Sequence, residues 1–138
     1  MPLVEIRSVT KEYRKGEQTI TPLREVNLDV ERGDFVSLMG ASGSGKTTLL
    51  NLVAGIDHAT SGRLVVNNTD ITQLSRTQLA HWRACNVGYI FQLSNLIPVL
   101  TAWENVEMPL LLLPLSRAER RKRARTVVSS SGRITSAL

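Results

Sequence analysis

The fold of this 138-residue chain is decided by the stretch Gly40-Ala41-Ser42-Gly43-Ser44-Gly45-Lys46-Thr47. It fits the P-loop pattern G-x-x-x-x-G-K-[ST], in which backbone N–H groups curl around phosphate oxygens. The apolar residues 35–39 before it predict a buried strand, and residues 48–54 after it predict a helix. This strand–loop–helix context favours a phosphate-binding loop over a chance glycine-serine turn with a solvent-exposed lysine.

The residue types of the loop suit phosphate chemistry. Glycines let the backbone approach an anion, and the helix N-terminus adds a partial positive charge. We expect Lys46 to reach the β- and γ-phosphates and the Thr47 hydroxyl to bind Mg²⁺. A branched side chain at Gly45 would obstruct the phosphates. The candidate nucleotide-binding residues here are Gly40, Ala41, Ser42, Gly43, Ser44, Gly45, Lys46 and Thr47, with Thr48 adjacent but outside the pattern.

The net charge of +5 is concentrated in one short run. Residues 1–116 hold ten basic and eleven acidic side chains, whereas residues 117–125 hold six basic side chains against Glu119 alone. A solvated helix face is the favoured interpretation of this run, with a polyanion site or an anionic membrane surface as alternatives. We therefore predict no nucleic-acid partner.

Two further features place the chain in a reducing compartment. The single cysteine, Cys85, cannot form an internal disulfide, and we expect it to be a buried, unreactive thiol. The acidic residue Glu5 interrupts the N-terminal segment before an apolar stretch can form, so no signal peptide is predicted. No apolar run is long enough to span a bilayer. We expect a soluble cytoplasmic protein whose membrane association comes through a partner.

The remaining elements follow from alternation and capping patterns. Strands are predicted over residues 3–10, 23–30, 63–66 and 87–91. Capping boxes predict helices that begin after Ser75, Thr101 and Ser116, the second bent or ended near Pro109 and the third running to about residue 128. On the first of these helices Leu79, Trp82 and Cys85 share a helical repeat. Residues 129–138 have no clear period and are interpreted as a loose tail.

Several segments together resemble the ATP-binding subunits of ABC transporters, nearest to the branch for lipoprotein release and macrolide export. The residues are Thr10-Lys11-Glu12-Tyr13, the loop at 40–47, Phe91-Gln92-Leu93, and the wording of residues 95–102 and 104–106. The resemblance implies that Tyr13 stacks on adenine, where spacing alone would leave it a half-buried surface ring. It also implies that Gln92 completes the Mg²⁺ shell and couples the site to the membrane subunit.

The resemblance implies an α/β fold of the P-loop NTPase class, with a mixed sheet around the P-loop strand and helix. We assign residues 1–92 to a partial ATP-binding core, residues 93–128 to the start of a helical subdomain and residues 129–138 to the tail. The implied cofactors are ATP and Mg²⁺. The implied partners are a membrane permease and a second ATP-binding subunit, which would place the chain at the inner face of the cell membrane.

The family's signature motif, its acidic pair after an apolar strand and its switch histidine are not found here. No aspartate follows Asp70, and both histidines precede Gln92. We therefore expect weak Mg-ATP binding with little turnover, and apolar surface exposed where later strands would pack. A frameshift or premature stop after about residue 125 would explain the tail, and reading the other two frames would test this.

The sequence is consistent with two functions. The first is the ATP-hydrolysing subunit of a transporter that drives export or lipoprotein release. The second is a non-catalytic fragment that binds nucleotide or docks on the permease. A small-molecule kinase or GTPase shares the P-loop but does not account for the segment around Gln92.

Overall fold

The computed structural model describes residues 2–92 and 95–130 and divides the chain into two compact units, Met1–Tyr89 and Ile90–Leu138. The first unit holds the sheet and the P-loop, and the second is helical.

The sheet of the first unit is built from antiparallel neighbours. Strand β1 (Val4–Lys15) pairs with β2 (Gln18–Val30) on one side and with β3 (Ser61–Val66) on the other. The short strand β4 (Thr69–Asp70) pairs with β3, so the order is β2-β1-β3-β4. Both strands of the hairpin extend past their predicted limits of 3–10 and 23–30 because they pair up to the turn at Gly16.

An irregularity in β1 keeps its apolar residues on the core side. The side chains of Val4, Ile6 and Val9 are buried, and the register shifts between Ile6 and Val9. Gly62 of β3 lies against this irregularity with a φ of 88°. A Cβ atom there would lie 2.3 Å from the carbonyl oxygen of Ser8, so the close approach of the two strands requires glycine.

Two helices pack on this sheet. Helix α1 (Lys46–Val53) buries Leu49 and Leu52, and helix α2 (Arg76–Asn86) buries Leu79 and Trp82. A 3₁₀ turn, Ile71–Gln73, connects β4 to the approach of α2. With the sheet they form one core of buried side chains: Val4, Ile6, Val9, Leu23, Leu49, Leu52, Leu64, Val66, Ile71, Leu79 and Trp82.

Two predicted strands are not formed. Residues 35–39 and 87–91 have no strand assignment, and among their side chains Phe35 and Ile90 are each 97% exposed. Both segments are apolar and β-prone, but a strand also needs a neighbour for its hydrogen bonds, and the described sheet ends at β2 and β4. The expectation of exposed apolar surface is confirmed, and the prediction of a buried P-loop strand is wrong for these residues.

Cys85 is exposed, so the prediction of a buried thiol is also wrong. Successive steps of three residues rotate about 60° backwards around an α-helix. Leu79 and Trp82 still face the core, but Cys85 lies about 120° from Leu79 and has turned towards solvent.

The second unit consists of short helical pieces. Helix α3 (Ala102–Glu107) ends before Pro109 in a 3₁₀ turn, Met108–Leu112, and helix α4 (Arg117–Ser130) follows. The capping boxes at Ser75 and Thr101 are complete, and the Ser116 hydroxyl accepts a hydrogen bond from the N–H of Glu119. Helix α4 includes residues 129 and 130, which were predicted to be tail, and residues 131–138 of that prediction lie outside the described residues. No helix in the described part of the chain is long and apolar enough to cross a bilayer.

Candidate nucleotide-binding site

The P-loop delivers an uncapped helix N-terminus to an open cavity. Gly45 precedes α1 in a left-handed conformation with a φ of 87°, and no side chain caps the helix. The first helical N–H groups therefore lack intrahelical acceptors and point towards the loop. A cavity of about 450 Å³ lies at this end of the helix, lined by Pro22 and residues 42–48. Free N–H donors and the helix dipole make it suited to an anion.

Lys46 is folded back onto the loop. Its Nζ donates to the carbonyl oxygens of Gly40 and Ala41 at 2.8 and 2.7 Å, and to the hydroxyl of Ser44 at 3.2 Å. These three acceptors are neutral. A phosphate in the cavity would offer charged oxygens, with which an ammonium group makes shorter and stronger hydrogen bonds. The oxygens of a bound phosphate would therefore replace these loop oxygens as the hydrogen-bond acceptors of Lys46.

Gly45 is needed for a reason that the sequence did not reveal. A Cβ atom at this position would lie 2.5 Å from the carbonyl oxygen of Pro22 and 3.0 Å from Cδ2 of Leu23. Strand β2 therefore packs directly against the loop at Gly45. The glycine is required by its positive φ and by this backbone contact, in addition to any effect on an approaching phosphate.

Tyr13 lies beside the first turn of α1. Its hydroxyl donates to Oδ2 of Asp57 at 2.7 Å and also forms a hydrogen bond with the side chain of Thr48. Burial raises the pKa of the Tyr13 hydroxyl, and the hydrogen bond to the Asp57 carboxylate raises it further. Since 39% of the residue remains exposed, the ring offers an apolar surface next to the P-loop. The sequence predicted Tyr13 and Thr48 as site residues, and the structure brings them together.

Lys11 and Asp57 were not predicted as site residues. Lys11 is only 8% exposed, and its Nζ donates to Oδ1 of Asp57 and to the carbonyl oxygen of His58, both at 2.8 Å. Burial alone would raise the pKa of Asp57, but the hydrogen bonds from Lys11 and Tyr13 outweigh it and hold that pKa below its usual value. The sequence indicates a turn after α1, and this turn brings Asp57 close to β1. Nothing in the local pattern, however, identifies Lys11 and Tyr13 as the hydrogen-bond partners of Asp57.

The two predicted magnesium ligands, Thr47 and Gln92, belong to different units. Thr47 follows Lys46 in the loop and is exposed, so its hydroxyl is available to a cation carried by a phosphate. Gln92 is exposed and lies in the second unit, so its place beside Thr47 stays a prediction. Among residues 2–92 and 95–130, no group of three or more histidine, cysteine or acidic side chains could hold a metal ion. A magnesium ion here would take most of its ligands from the phosphate oxygens of the nucleotide and from water.

The sheet, the glycine-rich loop and the lysine at the start of α1 define a phosphate-binding protein of the P-loop class. The family model described as ABC transporter matches residues 23–136. The chain belongs to the ABC transporter family, and the α/β fold of the ABC ATPase type is confirmed.

Similar proteins agree with this family. The chain is 44% identical over 125 residues to the uncharacterized ABC transporter ATP-binding protein MJ0796 of Methanocaldococcus jannaschii, covering 88% of this chain and 53% of the relative. It is 40% identical over 129 residues to the macrolide export ATP-binding/permease protein MacB of Brucella abortus, covering 94% of this chain and 20% of that protein. The chain therefore spans about half of the first relative and a fifth of the second.

Solved structures show the same fold. A dimeric structure of the ATP-binding cassette MJ0796 in a post-hydrolysis state, bound to ADP and Pi, superposes with a TM-score of 0.80 at 43% identity. The match covers 91% of this chain and 56% of the solved one. A second dimeric structure of MJ0796, described as a bacterial ABC transporter cassette, gives the same values.

Proposed function

We propose that this chain is the nucleotide-binding part of an ABC transporter subunit and binds Mg-ATP at the P-loop. The observation that carries the proposal is the cavity at the uncapped N-terminus of α1, which Lys46 and Thr48 line, with the hydroxyl of the partly exposed Tyr13 hydrogen-bonded to Thr48. An anion site beside an aromatic surface suits a triphosphate joined to a base. Relatives that are named as ATP-binding proteins support this choice.

The roles proposed for the residues follow from their positions. The backbone N–H groups of the loop and the first turn of α1 hold the phosphates, and Lys46 leaves its loop carbonyls to bind the β- and γ-phosphates. Tyr13 stacks on the adenine, while Thr47 and Gln92 bind the magnesium ion. When bound, the ion neutralises charge on the phosphate oxygens.

We propose further that these 138 residues bind nucleotide without appreciable turnover. Hydrolysis in P-loop enzymes uses an acidic residue as a second magnesium ligand and a residue that positions the attacking water. The sequence offers no aspartate beyond Asp70 for the first task. Calorimetric titration with Mg-ATP and a steady-state phosphate-release assay test the two statements separately. Binding that is lost in Lys46→Ala, without phosphate release, is the expected result. A steady release rate that Lys46→Ala abolishes would contradict the proposed lack of turnover.

The proposed partners are a membrane permease and a second ATP-binding subunit, which would hold the chain at the inner face of the membrane. The transported cargo would be an exported compound or a released lipoprotein. The second unit contributes an observation in favour of docking, a groove of about 470 Å³. Its apolar wall includes Leu100, Trp103, Met108 and Leu111, and its charged lining consists of Glu104, Glu107, Arg117 and Arg121. Glu104 is held by the Thr101 cap and Glu107 pairs with Arg120, whereas the two arginines of the lining have no acidic partner among the described residues.

The second candidate function is therefore a non-catalytic fragment that occupies the permease. A permease segment with an acidic and an apolar side chain would complement this groove. Co-purification with the permease, compared between the unaltered chain and Arg117→Glu/Arg121→Glu, tests the idea. Capture that is lost in this variant but kept in Lys46→Ala is the expected result, because docking in this groove does not require the nucleotide site. Equal capture of both variants would exclude the groove as the docking surface.

A further inference from the structure

Beside Tyr13 lies a part-buried ion pair, Lys11–Asp57, that nucleotide binding as proposed does not use. The Asp57 carboxylate divides its two oxygens between two donors, with Oδ1 accepting from Lys11 and Oδ2 from Tyr13. Lys11 is held in turn by the carbonyl oxygen of His58. These contacts join β1 to the turn after α1. The phenol group of Tyr13 is thus tied to Asp57, which lies 44 positions away along the chain.

The Lys11–Asp57 pair also determines which face of the Tyr13 ring is available to a stacking base. The Nζ atom of Lys11 lies over the Tyr13 ring, 4.7 Å from its centroid. A base cannot stack on a face that an ammonium group covers, so only the opposite face can receive one. The torsion that turns an aromatic ring about its Cβ–Cγ bond has broad energy wells. The hydroxyl oxygen lies on the axis of this torsion, so its hydrogen bonds to Asp57 and Thr48 fix where the far end of the ring lies, and the Lys11 ammonium group over one face restrains the plane.

We propose that Lys11 and Asp57 are positioning residues for base recognition, which hold the Tyr13 ring in one orientation with one face open to the nucleobase. The inference rests on the proposed function, because it requires that Tyr13 stacks on the base. Its physical effect is preorganisation, since a ring that is fixed before binding loses less conformational freedom when the base arrives. The ligand class is a purine nucleotide, and the phosphate-binding loop is not involved.

The structure suggests a substitution that tests the pair. In Asp57→Asn one carboxylate oxygen becomes an NH₂ group, which is a donor and cannot accept from Lys11 or from Tyr13. At least one of the two hydrogen bonds is then lost while the shape of the side chain is kept. Asp29→Asn is the matched control, because Asp29 lies in the same sheet and pairs with Arg7 at the exposed surface.

The experiment compares two probes by calorimetry on the full chain, Mg-ATP and magnesium tripolyphosphate, which has the phosphates without the base. We expect Asp57→Asn to lower the preference for ATP over tripolyphosphate by about two- to tenfold, the factor for losing the preorganisation of one side chain. Affinity for tripolyphosphate should stay unchanged. Tyr13→Phe, which keeps the ring, should cause a similar loss, and the double variant should add little because both changes break the same hydrogen bond. Asp29→Asn should leave the preference unchanged.

A purely structural role gives a different result. If Asp57→Asn weakens both probes equally, or leaves the preference for ATP unchanged, the inference is wrong. Wild-type protein that binds tripolyphosphate without preferring ATP would overturn the inference and the base-binding role of Tyr13 together, whereas loss of tripolyphosphate binding in Lys46→Ala would still support the phosphate site.

A measurement without nucleotide separates the two proposals completely. NMR of ring-labelled tyrosine follows the Tyr13 hydroxyl directly, and Asp57→Asn should move its pKa down towards the ordinary value, because the charged acceptor is gone. An unchanged titration of Tyr13 would show that Asp57 does not hold the ring, whatever the nucleotide affinity. A lowered pKa in a chain that binds no nucleotide would support the positioning contact and count against the proposed function.

Discussion

Each of the two units is stabilised internally by a different kind of interaction. In the first unit eleven apolar side chains form one core between the sheet and two helices. Among the described residues of the second unit, Ala124 is the one hydrophobic side chain that is buried, and the contacts are mainly caps, ion pairs and the hydrogen bonds of Asn105. Apolar burial is worth about 25 cal/mol per Å², whereas a single hydrogen bond contributes about 1 kcal/mol net. We therefore expect the first unit to be the more stable one.

The two tryptophans allow each unit to be followed alone. Trp82 is buried in the first unit and Trp103 lies on α3 of the second, and the sequence contains no others. Emission in a Trp103→Phe background reports the first unit, and emission in a Trp82→Phe background reports the second. The predictions below are measured as urea midpoints in these two backgrounds.

The largest effect is expected for Ile6→Ala. Ile6 is fully buried in the centre of the first core, and truncation of such a side chain costs about 2–5 kcal/mol, through lost transfer free energy and the cavity left behind. The Trp82 transition should move to much lower urea. Ile20→Ala on β2 is the matched control, since that side chain is 54% exposed and its loss should change stability by less than about 0.5 kcal/mol. Equal losses would mean that the core does not determine the stability of this unit.

Asn105→Ala should have the largest effect in the second unit. Its Oδ1 accepts from the N–H of Ile97 at 2.7 Å, and its Nδ2 donates to the carbonyl oxygens of Ile97, Leu100 and Thr101. Leaving these part-buried groups without partners should cost about 1–3 kcal/mol, seen in the Trp103 transition.

Asn105→Asp provides a second test of that prediction. It keeps an acceptor for the N–H of Ile97 but places a carboxylate oxygen against the three carbonyl oxygens, so its cost should equal or exceed that of Asn105→Ala. If Asn105→Ala leaves the Trp103 transition in place, the polar contacts do not hold this unit together.

A smaller effect is expected from the two complete capping boxes, one in each unit. Thr101→Ala and Ser75→Ala each remove the acceptor for an orphan N–H, at a cost of about 1 kcal/mol. The absolute costs should be similar because a cap is a local interaction. The same cost should be a larger fraction of the total free energy of unfolding in the second unit, because that unit is expected to be the less stable one. Thr101→Ser, which keeps the hydroxyl, should be nearly neutral. A difference of several kcal/mol between the two caps would contradict this view.

The helix starts could be predicted from the sequence because each capping signal lies within four residues. Ser75 and Thr101 cap as expected, and the turn at 67–68 has the positive φ values that asparagine tolerates. The strands β1 and β2 were predicted in part from their local alternation, whereas the pairing that extends both of them to the turn at Gly16 was not predicted. The P-loop could be predicted as well, because its spacing is local and its glycine carries the expected left-handed φ.

What depends on distant partners could not be predicted from local patterns. Residues 35–39 have the composition of a buried strand, but burial depends on neighbouring strands, and the described sheet offers none. The hydrogen-bond network around Tyr13 also depends on a distant residue. The local sequence pattern indicates only that Asp57 follows the end of a helix, and does not predict its hydrogen bond with Tyr13. The resemblance to a family indicated the role of Tyr13, but the residues that hold it became visible only in the structure.

The smallest difference between the units is expected in their response to acid. Burial would raise the pKa values of Asp57 and Asp70, but hydrogen bonds from Lys11 and Thr72, respectively, outweigh it and lower them from 3.8. In the second unit the Thr101 N–H and hydroxyl lower the pKa of Glu104, and Arg123 lowers that of Glu119, from 4.5. The folded-state pKa is below the unfolded one in each case. The stabilisation is therefore complete above the unfolded pKa and is lost as the pH falls through the folded pKa.

The two kinds of acid set different starting points for this loss. The Trp103 transition should begin to move to lower urea near pH 4.5, where unfolded glutamates take up protons, and the Trp82 transition nearer pH 3.8. Glu104→Gln should flatten the first dependence, because the amide still reaches the cap but does not titrate. If both transitions weaken together from pH 4.5, the acid response is a property of the whole chain and the two units do not titrate independently.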